Sequence, residues 1–343
     1  MQQQPNLTDR VRQIGQALRK DLDSIAMLVR TAADNQPPFP RVTEALDRCL
    51  VQLGQLKTWG IENRLPSSEL WNIAGPILER GWLQNRARIK PRGYAGDYEM
   101  LARIYEERLC DDPLGRLFDR YFQEQAAPVA VRNRMQMMAE WMVELGGAGR
   151  QPRKPHQTFR IAIFGSAFGL EVRDAILRLD PSVRDGLHVT LLDLDPAAIE
   201  FARQQLSPLL RSDQLIATAA NLFRLPDRPS IAALLDGTDL LFCPGLFDYL
   251  DNAAATAMLR ALAARLTPGG RLTIFQFSPH NPTRAYMEWV ANWYLIYRDA
   301  RQLESIVSAA GIAADRAAYG AEPQGVDLYV TIRGDATCQP VRQ

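Results

Sequence analysis

The stretch from Phe159 to Asp195 constrains the fold more than any other part of the chain. It begins with six mostly apolar residues, Phe159 to Phe164, which are too few for a helix and have the two-sided apolarity of a central parallel strand. Gly165 and Gly169 then bracket a short turn, and apolar positions recur at helical spacing from Leu170 to Leu179. This pattern predicts a strand, a turn, and a helix whose first N–H groups lie at the end of the strand.

A second buried strand, His188 to Leu192, carries Asp193 to its C-terminal end. Rossmann-like folds place a carboxylate at about this point, where it binds the ribose hydroxyls of a nucleotide. The turn lacks the three glycines of the dinucleotide fingerprint, and two glycines in such a turn also occur where the chain only packs tightly. The stretch therefore predicts a nucleotide-type pocket, with tight packing as the alternative.

The composition narrows the kinds of partner. The 343 residues suggest about two domains, and 47% apolar residues are enough for a sizeable core. Lys and Arg number 40 against 39 Asp and Glu, so the chain has no charge excess that favours nucleic acid or an anionic membrane. We therefore expect a small-molecule substrate, no nucleic-acid partner and no membrane partner, whereas the oligomeric state is left open.

Cysteine spacing and the N-terminal sequence indicate the compartment. Cys49, Cys110, Cys243 and Cys338 lie far apart and show no paired spacing, which argues against a zinc site or a disulfide framework. The first residues are polar, and no run approaches the roughly 20 apolar residues of a membrane span. The expectation is a soluble, cytoplasmic protein without a bound metal.

The first half of the chain has the pattern of a helical domain. Thr8 and Asp9 are placed to cap a helix with apolar positions from Val11 to Leu28, a second stripe runs from Val42 to Leu56, and a third helix is predicted around Leu70 to Leu83. Such stripes are far more often core than cofactor site. We therefore expect a helical domain over residues 1–145, a linker over 146–157 and a ligand-binding domain over 158–343.

Residues 86–99, RARIKPRGYAGDYE, differ from the stripes around them. They combine glycines, tyrosines and four cationic side chains, which is typical of a loop and argues against a regular helix. Asp97 is placed to cap a following helix from Tyr98 to Glu107. We predict a lid over a bound metabolite, with a simple connector as the alternative.

Beyond Asp195 the chain alternates between helices and strands. Strands are predicted at Gln214–Ala219, Asp239–Cys243, Arg271–Phe277 and Val326–Ile332, and the alternation indicates a largely parallel sheet. Five segments lie at strand ends or turns, in the order FGSAFG, LLDLDP, AANLFRLP, CPGLFDYL and LTPGG. In this order they resemble the class I S-adenosylmethionine-dependent methyltransferases over roughly residues 158–333. The resemblance implies an α/β fold with a Rossmann-like sheet behind an N-terminal α-helical domain, a transferase activity, and S-adenosylmethionine as cofactor.

The resemblance also implies which residues bind the cofactor. The turn after the first strand meets the methionine portion, the end of the second strand holds the ribose, and the residues after the third strand meet the adenine. The implied positions are Gly165, Ser166, Ala167 and Gly169 in the turn, Asp193 and Leu194, Asn221 and Leu222, with Gly245 and Arg132 completing the set. The family has more glycine in the first turn, and Asp195 is better explained as a cap for the helix that begins at Pro196.

A narrower resemblance rests on RIKPRGYAGDYEML, AVRNRM and GLFDYL. These segments are similar to a bacterial subgroup that includes proteins linked to methyl esters of 3-hydroxy fatty acids and azetidine-2-carboxylate synthases of secondary metabolism. The first link implies methyl transfer to a small carboxylic acid. The second implies cyclisation of the cofactor, in which its amine attacks its own γ-carbon and methylthioadenosine leaves, with Tyr94, Asn133 or Asp97 as an acceptor beside the amine. A binding module without activity is a third alternative.

An aromatic-rich segment follows the strand that ends at Phe277. Tyr286, Trp289, Trp293, Tyr294 and Tyr297 fall at near-helical spacing between residues 278 and 298. Aromatic faces attract a sulfonium through cation–π interaction, although core packing is the favoured role for most of these residues.

Overall fold

The computed structural model describes residues 6–31, 38–148 and 158–335. By packing, these residues divide into two compact units. The first contains the chain up to Val129 together with Asn281–Leu295, and the second contains Ala130–His280 and the chain from Ile296 onward. Most of the predicted linker, 146–157, lies outside the described residues, so the domain boundaries expected from the sequence stay a prediction.

The first unit is helical because its apolar stripes are buried against one another. The faces of the first three helices that carry Val11, Leu22, Leu46 and Leu70 are fully buried. The helices are α1 Leu7–Thr31, α2 Phe39–Gly54, α3 Arg64–Leu78, α4 Trp82–Ile89, α5 Tyr98–Tyr105 and α6 Pro113–Gln123, with a 3₁₀ turn at Gly60–Asn63 and a π-helical turn at Tyr286–Val290. A seventh helix, α7 Ala126–Val143, contains the division between the units.

Two predictions about helix ends in this unit are wrong. The first helix is capped by Asn6, whose Oδ1 accepts a hydrogen bond from the Asp9 N–H at 2.9 Å, and not by Thr8 or Asp9. The helix predicted around Leu70–Leu83 is in fact α3 and α4, separated near Gly81, where a Cβ would lie 2.8 Å from the Phe118 Cβ. Close packing by a distant residue therefore interrupts a periodic pattern that continues in the sequence.

The segment over residues 86–99 is partly helical, contrary to the prediction. Its first four residues complete α4, which ends at Lys90 in the left-handed conformation with φ 49°. The expected cap is confirmed, since the Asp97 Oδ1 accepts a hydrogen bond from the Met100 N–H at 3.0 Å at the start of α5. The predicted helical spacing of the aromatic segment is wrong beyond Val290, because Asn292 has a left-handed φ of 52°.

The second unit contains a seven-stranded sheet in the order β3-β2-β1-β4-β5-β7-β6. The strands are β1 Phe159–Phe164, β2 Leu187–Asp193, β3 Leu215–Ala219, β4 Thr238–Cys243, β5 Leu266–Phe277, β6 Ala317–Ala321 and β7 Asp327–Arg333. β1 to β5 are parallel, and β7 runs antiparallel to β5 and β6. The predicted α/β fold with a Rossmann-like sheet and an N-terminal helical region is confirmed.

Helices cover both faces of this sheet. On one face Trp141 of α7 stacks on Phe242 and Phe275 with ring centroids 6.2 and 6.3 Å apart, and it meets Tyr329 edge-on at 5.2 Å. On the other face, α12 and α13 bury Leu259 and other apolar residues against the sheet. The helices of this unit after α7 are α8 Leu170–Arg178, α9 Pro181–Asp185, α10 Pro196–Leu206, α11 Pro229–Ala233, α12 Asn252–Ala263 and α13 Ala300–Ala309.

The strand order locates the site. The chain builds outward from β1 in one direction and then crosses to β4 on its other side, so the connections after these two strands diverge. Open α/β sheets bind ligands in the crevice that such a switch leaves at the carboxyl ends of the strands. The edge formed by the carboxyl ends of β1 to β5 is called the carboxyl edge below.

Packing in the first unit predicts opposite effects for two glycines. A Cβ at Gly115 would lie 2.0 Å from the backbone oxygen of Arg80, whereas no described atom lies within 4 Å of a Cβ at Gly54, the last residue of α2. Gly115→Ala should therefore lower the free energy of unfolding by about 1–3 kcal/mol or more. Gly54→Ala should leave it unchanged or raise it by up to about 1 kcal/mol. Thermal unfolding followed by circular dichroism measures both, and equal shifts of the midpoint would contradict the packing at Gly115.

Candidate functional site

The turn after β1 is held against the end of β2. The N–H groups of Gly165 and Ser166 donate to the Leu192 carbonyl at 2.8 and 3.0 Å. Gly165, Ala167 and Gly169 have positive φ angles of 82°, 45° and 64°. The left-handed conformation costs a residue with a Cβ about 1–2 kcal/mol, so Ala167 is strained where glycine would not be.

Two of the three side chains between Gly165 and Gly169 are buried in the protein. Ser166 and Phe168 are buried, whereas Gly165 and Ala167 are half-buried. The Oγ of Ser166 has no hydrogen-bond partner among the described residues. The backbone of the turn therefore stays accessible at Gly165 and Ala167 even though the sequence of the turn is bulky.

Asp193 joins this turn to the next one. Its Oδ2 accepts a hydrogen bond from the Ala167 N–H at 2.8 Å, and its Oδ1 accepts one from the Asp195 N–H at 2.9 Å. Burial raises the pKa of Asp193, while the amide hydrogen bonds oppose that shift. Asp195 caps α10 by accepting from the Ala197 N–H at 2.8 Å, as predicted. The ribose contact expected for Asp193 stays a prediction.

The residues after β2 and β3 converge on the same turn. Leu222 is buried, and its Cδ1 lies 3.8 Å from the position that a Cβ of Gly165 would occupy. Asn221 is exposed and its Oδ1 accepts a hydrogen bond from the Phe223 N–H at 3.2 Å. Leu194, between the two acids, is 45% exposed. The structure thus brings the predicted positions at Gly165, Asp193 and Leu222 together at the carboxyl edge.

The loop after β4 is fixed by a buried polar network. Arg298 donates to the Phe247 carbonyl at 2.9 Å, to the Gln276 Oε1 at 2.6 Å and to the Leu250 carbonyl. Asp248 accepts from the Gln276 Nε2 at 2.7 Å and from the Phe277 N–H at 2.8 Å. Gly245 lies in this loop, and no described atom comes within 4 Å of a Cβ built on it. A rigid loop therefore leaves open space at Gly245.

The helix α7 supplies a buried cation that the sequence does not single out. Arg134 is 4% exposed, donates to the Asp327 Oδ2 at 2.7 Å, and has its Cζ 5.7 Å from the centroid of the Phe275 ring. Its neighbour Asn133 donates to the Glu322 Oε2 at 2.7 Å, and Arg132 is half-buried. Arg132, Asn133 and Arg134 are consecutive polar residues, and the sequence does not show which of them is buried. The packing of α7 decides that.

Buried carboxyl groups outnumber buried cations at the carboxyl edge. Among the described residues of the second unit, two guanidinium groups are buried, Arg134 and Arg298. Six carboxyl side chains are buried: Glu171, Asp193, Asp195, Asp248, Glu322 and Asp327. All six lie at or next to strand ends of this edge, because β7 begins where β5 ends and the β6–β7 turn lies beside them.

Burial is the main cause of the raised pKa values among these carboxyl groups. Burial raises the pKa of Asp327 to about 7 against the opposing effect of Arg134, and burial together with Asp327 holds the pKa of Asp248 well above its usual range. Burial also raises the pKa of Glu171 to about 7. The edge is therefore poised to accept positive charge near neutral pH.

Glu171 is among the buried acids that have an oxygen without a hydrogen-bond partner in the described residues, as is Asp327 at its Oδ1. It lies in the first turn of α8, is 1% exposed, and its Oε2 has no hydrogen-bond partner among the described residues. An acid in the first turn of a helix is a common sequence pattern that stabilises the helix dipole from the surface. Complete burial with an unbonded oxygen is different, since such an oxygen costs about 1–3 kcal/mol or more unless a ligand or water bonds it.

Tyr94 and Asp97 belong to the first unit. Asp97 is buried and binds the Arg86 Nε through both carboxylate oxygens at 2.8 Å, in addition to capping α5. Arg86 also bonds Glu99 at 2.9 Å. Tyr94 is half-buried. Asp97 thus has a complete structural role, and the catalytic roles predicted for Tyr94, Asp97 and Asn133 stay predictions.

The described residues were also considered as metal ligands, membrane spans and disulfide partners. No three or more His, Cys, Asp or Glu side chains within those ranges are grouped so as to hold a metal ion. No helix among them is long and apolar enough to cross a membrane. Cys49, Cys110 and Cys243 are free thiols, and Cys338 lies outside the described residues.

Comparison with known proteins identifies the fold. No protein-family model matches the sequence, and no curated protein matches it. A crystal structure of a possible exported protein from Bordetella parapertussis is similar at a TM-score of 0.56, with 16% identity over 97% of this chain and 98% of that chain. At this identity the likeness shows a shared fold.

Two methyltransferase structures are similar in outline at lower TM-scores. Magnesium protoporphyrin IX methyltransferase from Synechocystis PCC 6803, with bound SAM, gives a TM-score of 0.45 and 12% identity over 74% of this chain and 97% of that chain. Mitomycin 7-O-methyltransferase gives a TM-score of 0.44 and 15% identity over 95% of this chain and 94% of that chain.

The burial of Glu171 predicts a pH dependence of stability. Its folded pKa of about 7 lies above the ordinary value of a glutamate, so the folded state holds a proton that the unfolded state releases between about pH 4.5 and pH 7. Stability contributed by the protonated group is complete below that window and lost above it. Glu171→Gln removes this loss and should gain on the order of 3 kcal/mol relative to the unsubstituted protein between pH 4.5 and pH 8. Thermal midpoints measured across that range check this, and parallel curves for the two proteins would contradict it.

Proposed function

We propose that the chain is an S-adenosylmethionine-dependent enzyme that binds the cofactor at the carboxyl edge of its second unit and methylates a small carboxylic acid. The observation that carries the proposal is the surplus of buried carboxyl groups at that edge. A Rossmann-like switch point favours a ligand that contains a nucleoside. The charge around the switch point then decides between nucleoside ligands.

The charge disfavours a dinucleotide. A pyrophosphate binds at the N-terminus of the helix after β1, where N–H groups and the helix dipole supply positive potential. In this chain the first turn of that helix contains the buried Glu171, and the nearby Asp193 already accepts the Ala167 N–H. S-adenosylmethionine instead joins a nucleoside to a sulfonium and an ammonium, which complement the carboxyl groups.

The residues present fit this cofactor. The half-buried backbone of Gly165 and Ala167 is open to the methionine portion, Asp193 is available for the ribose, and Leu194 is exposed beside it. Gly245 leaves space after β4. Arg134 is a buried guanidinium group, the kind of side chain that binds a carboxylate such as that of the cofactor. Asn221 and Leu222 follow β3, where the adenine is expected.

When bound, the cofactor supplies an electrophilic methyl group, and its sulfonium sulfur is the leaving group. An ionised carboxylate acceptor needs no general base, so the residues of the site have to align the reactants and exclude water. The network of Arg298, Gln276 and Asp248 serves that role by fixing the loop after β4.

Glu171 favours one alternative, cyclisation of the cofactor to azetidine-2-carboxylate with loss of methylthioadenosine. That reaction requires a neutral amine on the cofactor, and Glu171 is a carboxyl group with a pKa of about 7 and an unbonded Oε2 at the start of α8. Such a group accepts a proton near neutral pH. Asn133, by contrast, already donates to Glu322.

The two reactions give different products from the same incubation. Purified protein is mixed with S-adenosylmethionine alone, and then with a panel of small carboxylic acids, and the products are identified by mass spectrometry. We expect S-adenosylhomocysteine only when an acid is supplied, and less of it with Asp193→Ala. Methylthioadenosine with a four-membered imino acid from the cofactor alone would establish cyclisation. Binding without turnover would favour a binding module.

The charge argument predicts a preference for the sulfonium. Glu171→Gln should weaken binding of S-adenosylmethionine about 10-fold and change binding of S-adenosylhomocysteine, which lacks the sulfonium charge, much less. Isothermal titration calorimetry measures both constants. Glu200→Gln, at an exposed position on α10, is the matched control and should change neither. Equal losses for the two ligands would contradict the role of charge.

A further inference from the structure

A pocket of about 410 Å³ opens on the face of the sheet against which Trp141 packs. Residues of β4, β5, β6 and β7 form its floor and rim, and Trp141 and Leu145, at and after the C-terminal end of α7, form a wall. All of the residues that line it belong to the second unit. Its volume lies within the range of about 300–1,000 Å³ that is usual for sites of small ligands.

The pocket lies away from the carboxyl edge. Arg271, which lines it, stands on β5 six residues before Phe277, the residue at which β5 reaches that edge. Six residues of a strand span about 20 Å. Arg333, which also lines the pocket, is the last residue of β7, and β7 runs antiparallel to β5. The pocket is therefore separate from the cofactor site proposed above.

Aromatic rings and hydroxyl groups lie on the floor of the pocket. Successive residues of a strand face opposite sides of the sheet, so Thr273 shares a face with Phe275, on which Trp141 stacks. Thr331 shares that face with Tyr329, which the Trp141 ring meets edge-on. The Thr273 and Thr331 hydroxyl groups are hydrogen-bonded at 2.9 Å, and Trp141, Thr331 and Tyr329 are only half-buried. Such a surface suits a ligand with an apolar body.

Three arginines surround this apolar surface. Arg271 on β5 and Arg333 on β7 are direct partners in the register of the antiparallel pair, and both are exposed. Like charges directly opposite each other on neighbouring strands destabilise the pair. The third, Arg316, precedes β6, and its Nε donates to the Arg333 carbonyl at 2.9 Å. The rim therefore groups positive charge around the pocket.

The nearby acids pair with only one of these arginines. The Arg316 Nη1 lies 3.3 Å from the Asp335 Oδ2. Asp315 also lines the pocket, but it accepts from the Arg333 Nη2 through its backbone carbonyl, at 3.0 Å. Arg271 forms neither an ion pair nor a side-chain hydrogen bond with any residue that the structure describes. The charges of Arg271 and Arg333 are therefore left without a carboxylate partner in the described part of the chain.

We propose that this pocket binds a small organic acid, with the carboxylate at Arg271 and Arg333 and the apolar body against Trp141 and Tyr329. A guanidinium fork matches the geometry of a carboxylate, and the bound anion also relieves the repulsion between two opposite arginines. The adjacent Thr331 supplies a hydroxyl group. This is a second ligand site, and it does not depend on the function proposed for the carboxyl edge.

Calorimetry tests the site with acids and their neutral counterparts. The full protein is titrated with naphthoate and with octanoate, and separately with naphthalenemethanol and octanol, at pH 7.5 and constant ionic strength. Arg271→Gln removes one charge from the rim. Arg301→Gln, at an exposed position on α13 at the other face of the sheet, removes the same charge elsewhere and is the matched control. Ala318→Phe fills the pocket from the exposed β6 position without changing its charge.

We expect at least one acid to bind about 10-fold more tightly than its alcohol, and Arg271→Gln to remove that preference while Arg301→Gln retains it. Ala318→Phe should abolish binding of the acid and retain the thermal midpoint of the protein. Tighter binding of naphthoate assigns an aromatic acid, and tighter binding of octanoate assigns an aliphatic one.

Three results would overturn the proposal. The first is equal affinity for acid and alcohol, and the second is binding of the acid that Arg271→Gln and Ala318→Phe leave unchanged, which would place the acid elsewhere. The third is no binding of either acid. If gel filtration then showed a dimer that Ala318→Phe dissociates, the pocket would belong to a contact between two copies of the chain instead.

Discussion

The burial of more carboxyl groups than cations at one sheet edge is the constraint on which the second unit depends. An uncompensated buried charge is expensive, and the structure limits the expense in two ways. Asp193, Asp195 and Asp248 each accept a hydrogen bond from a backbone N–H group, so at least one oxygen of each is bonded by the elements it connects. Asp327 is paired with Arg134, which ties α7 to the start of β7. Carboxyl groups with raised pKa values carry less negative charge near neutral pH, which further lowers the cost of burial, and a cationic ligand would favour their ionised form.

The same hydrogen bonds determine the shape of the site. Asp193 fixes the turn after β1 and the entry to α10 with one carboxylate, so the conformation of Ala167 and the cap at Asp195 depend on a single side chain. The strain at Ala167 persists because this bond and the Gly165 bond to Leu192 hold the turn on both sides. A site built in this way is rigid before the ligand arrives, which lowers the entropy cost of binding.

Much of this architecture follows from local sequence signals. β1 has the predicted bounds and α10 begins at the predicted Pro196, because a six-residue apolar run and an Asp-Pro start are strong local signals. The split between α3 and α4 and the strand β6 do not follow from such signals. Gly81 packs on Phe118, which is distant in sequence, and Gly320 packs under the ring of Tyr329, its partner on the neighbouring strand β7.

The site divides in the same manner. Asp193 and Asp195 are predictable because their position after β2 fixes their environment, whereas Arg134 and Glu171 resemble ordinary helix-surface residues in the sequence. Their importance comes from burial, which depends on how α7 and α8 pack on the sheet.

The near-zero net charge conceals two local imbalances of opposite sign. The second unit buries a surplus of carboxyl groups, and the first unit groups the cations Arg64, Arg88 and Lys90 around the Tyr294 and Trp71 rings. Net charge describes long-range attraction to large partners, and that average says nothing about a pocket a few ångströms wide. Small ligands respond to the local field, so a chain with no overall charge preference can still favour a charged small ligand at one site. The same reasoning explains why composition leaves the charge of a small ligand to be determined from the positions of individual side chains.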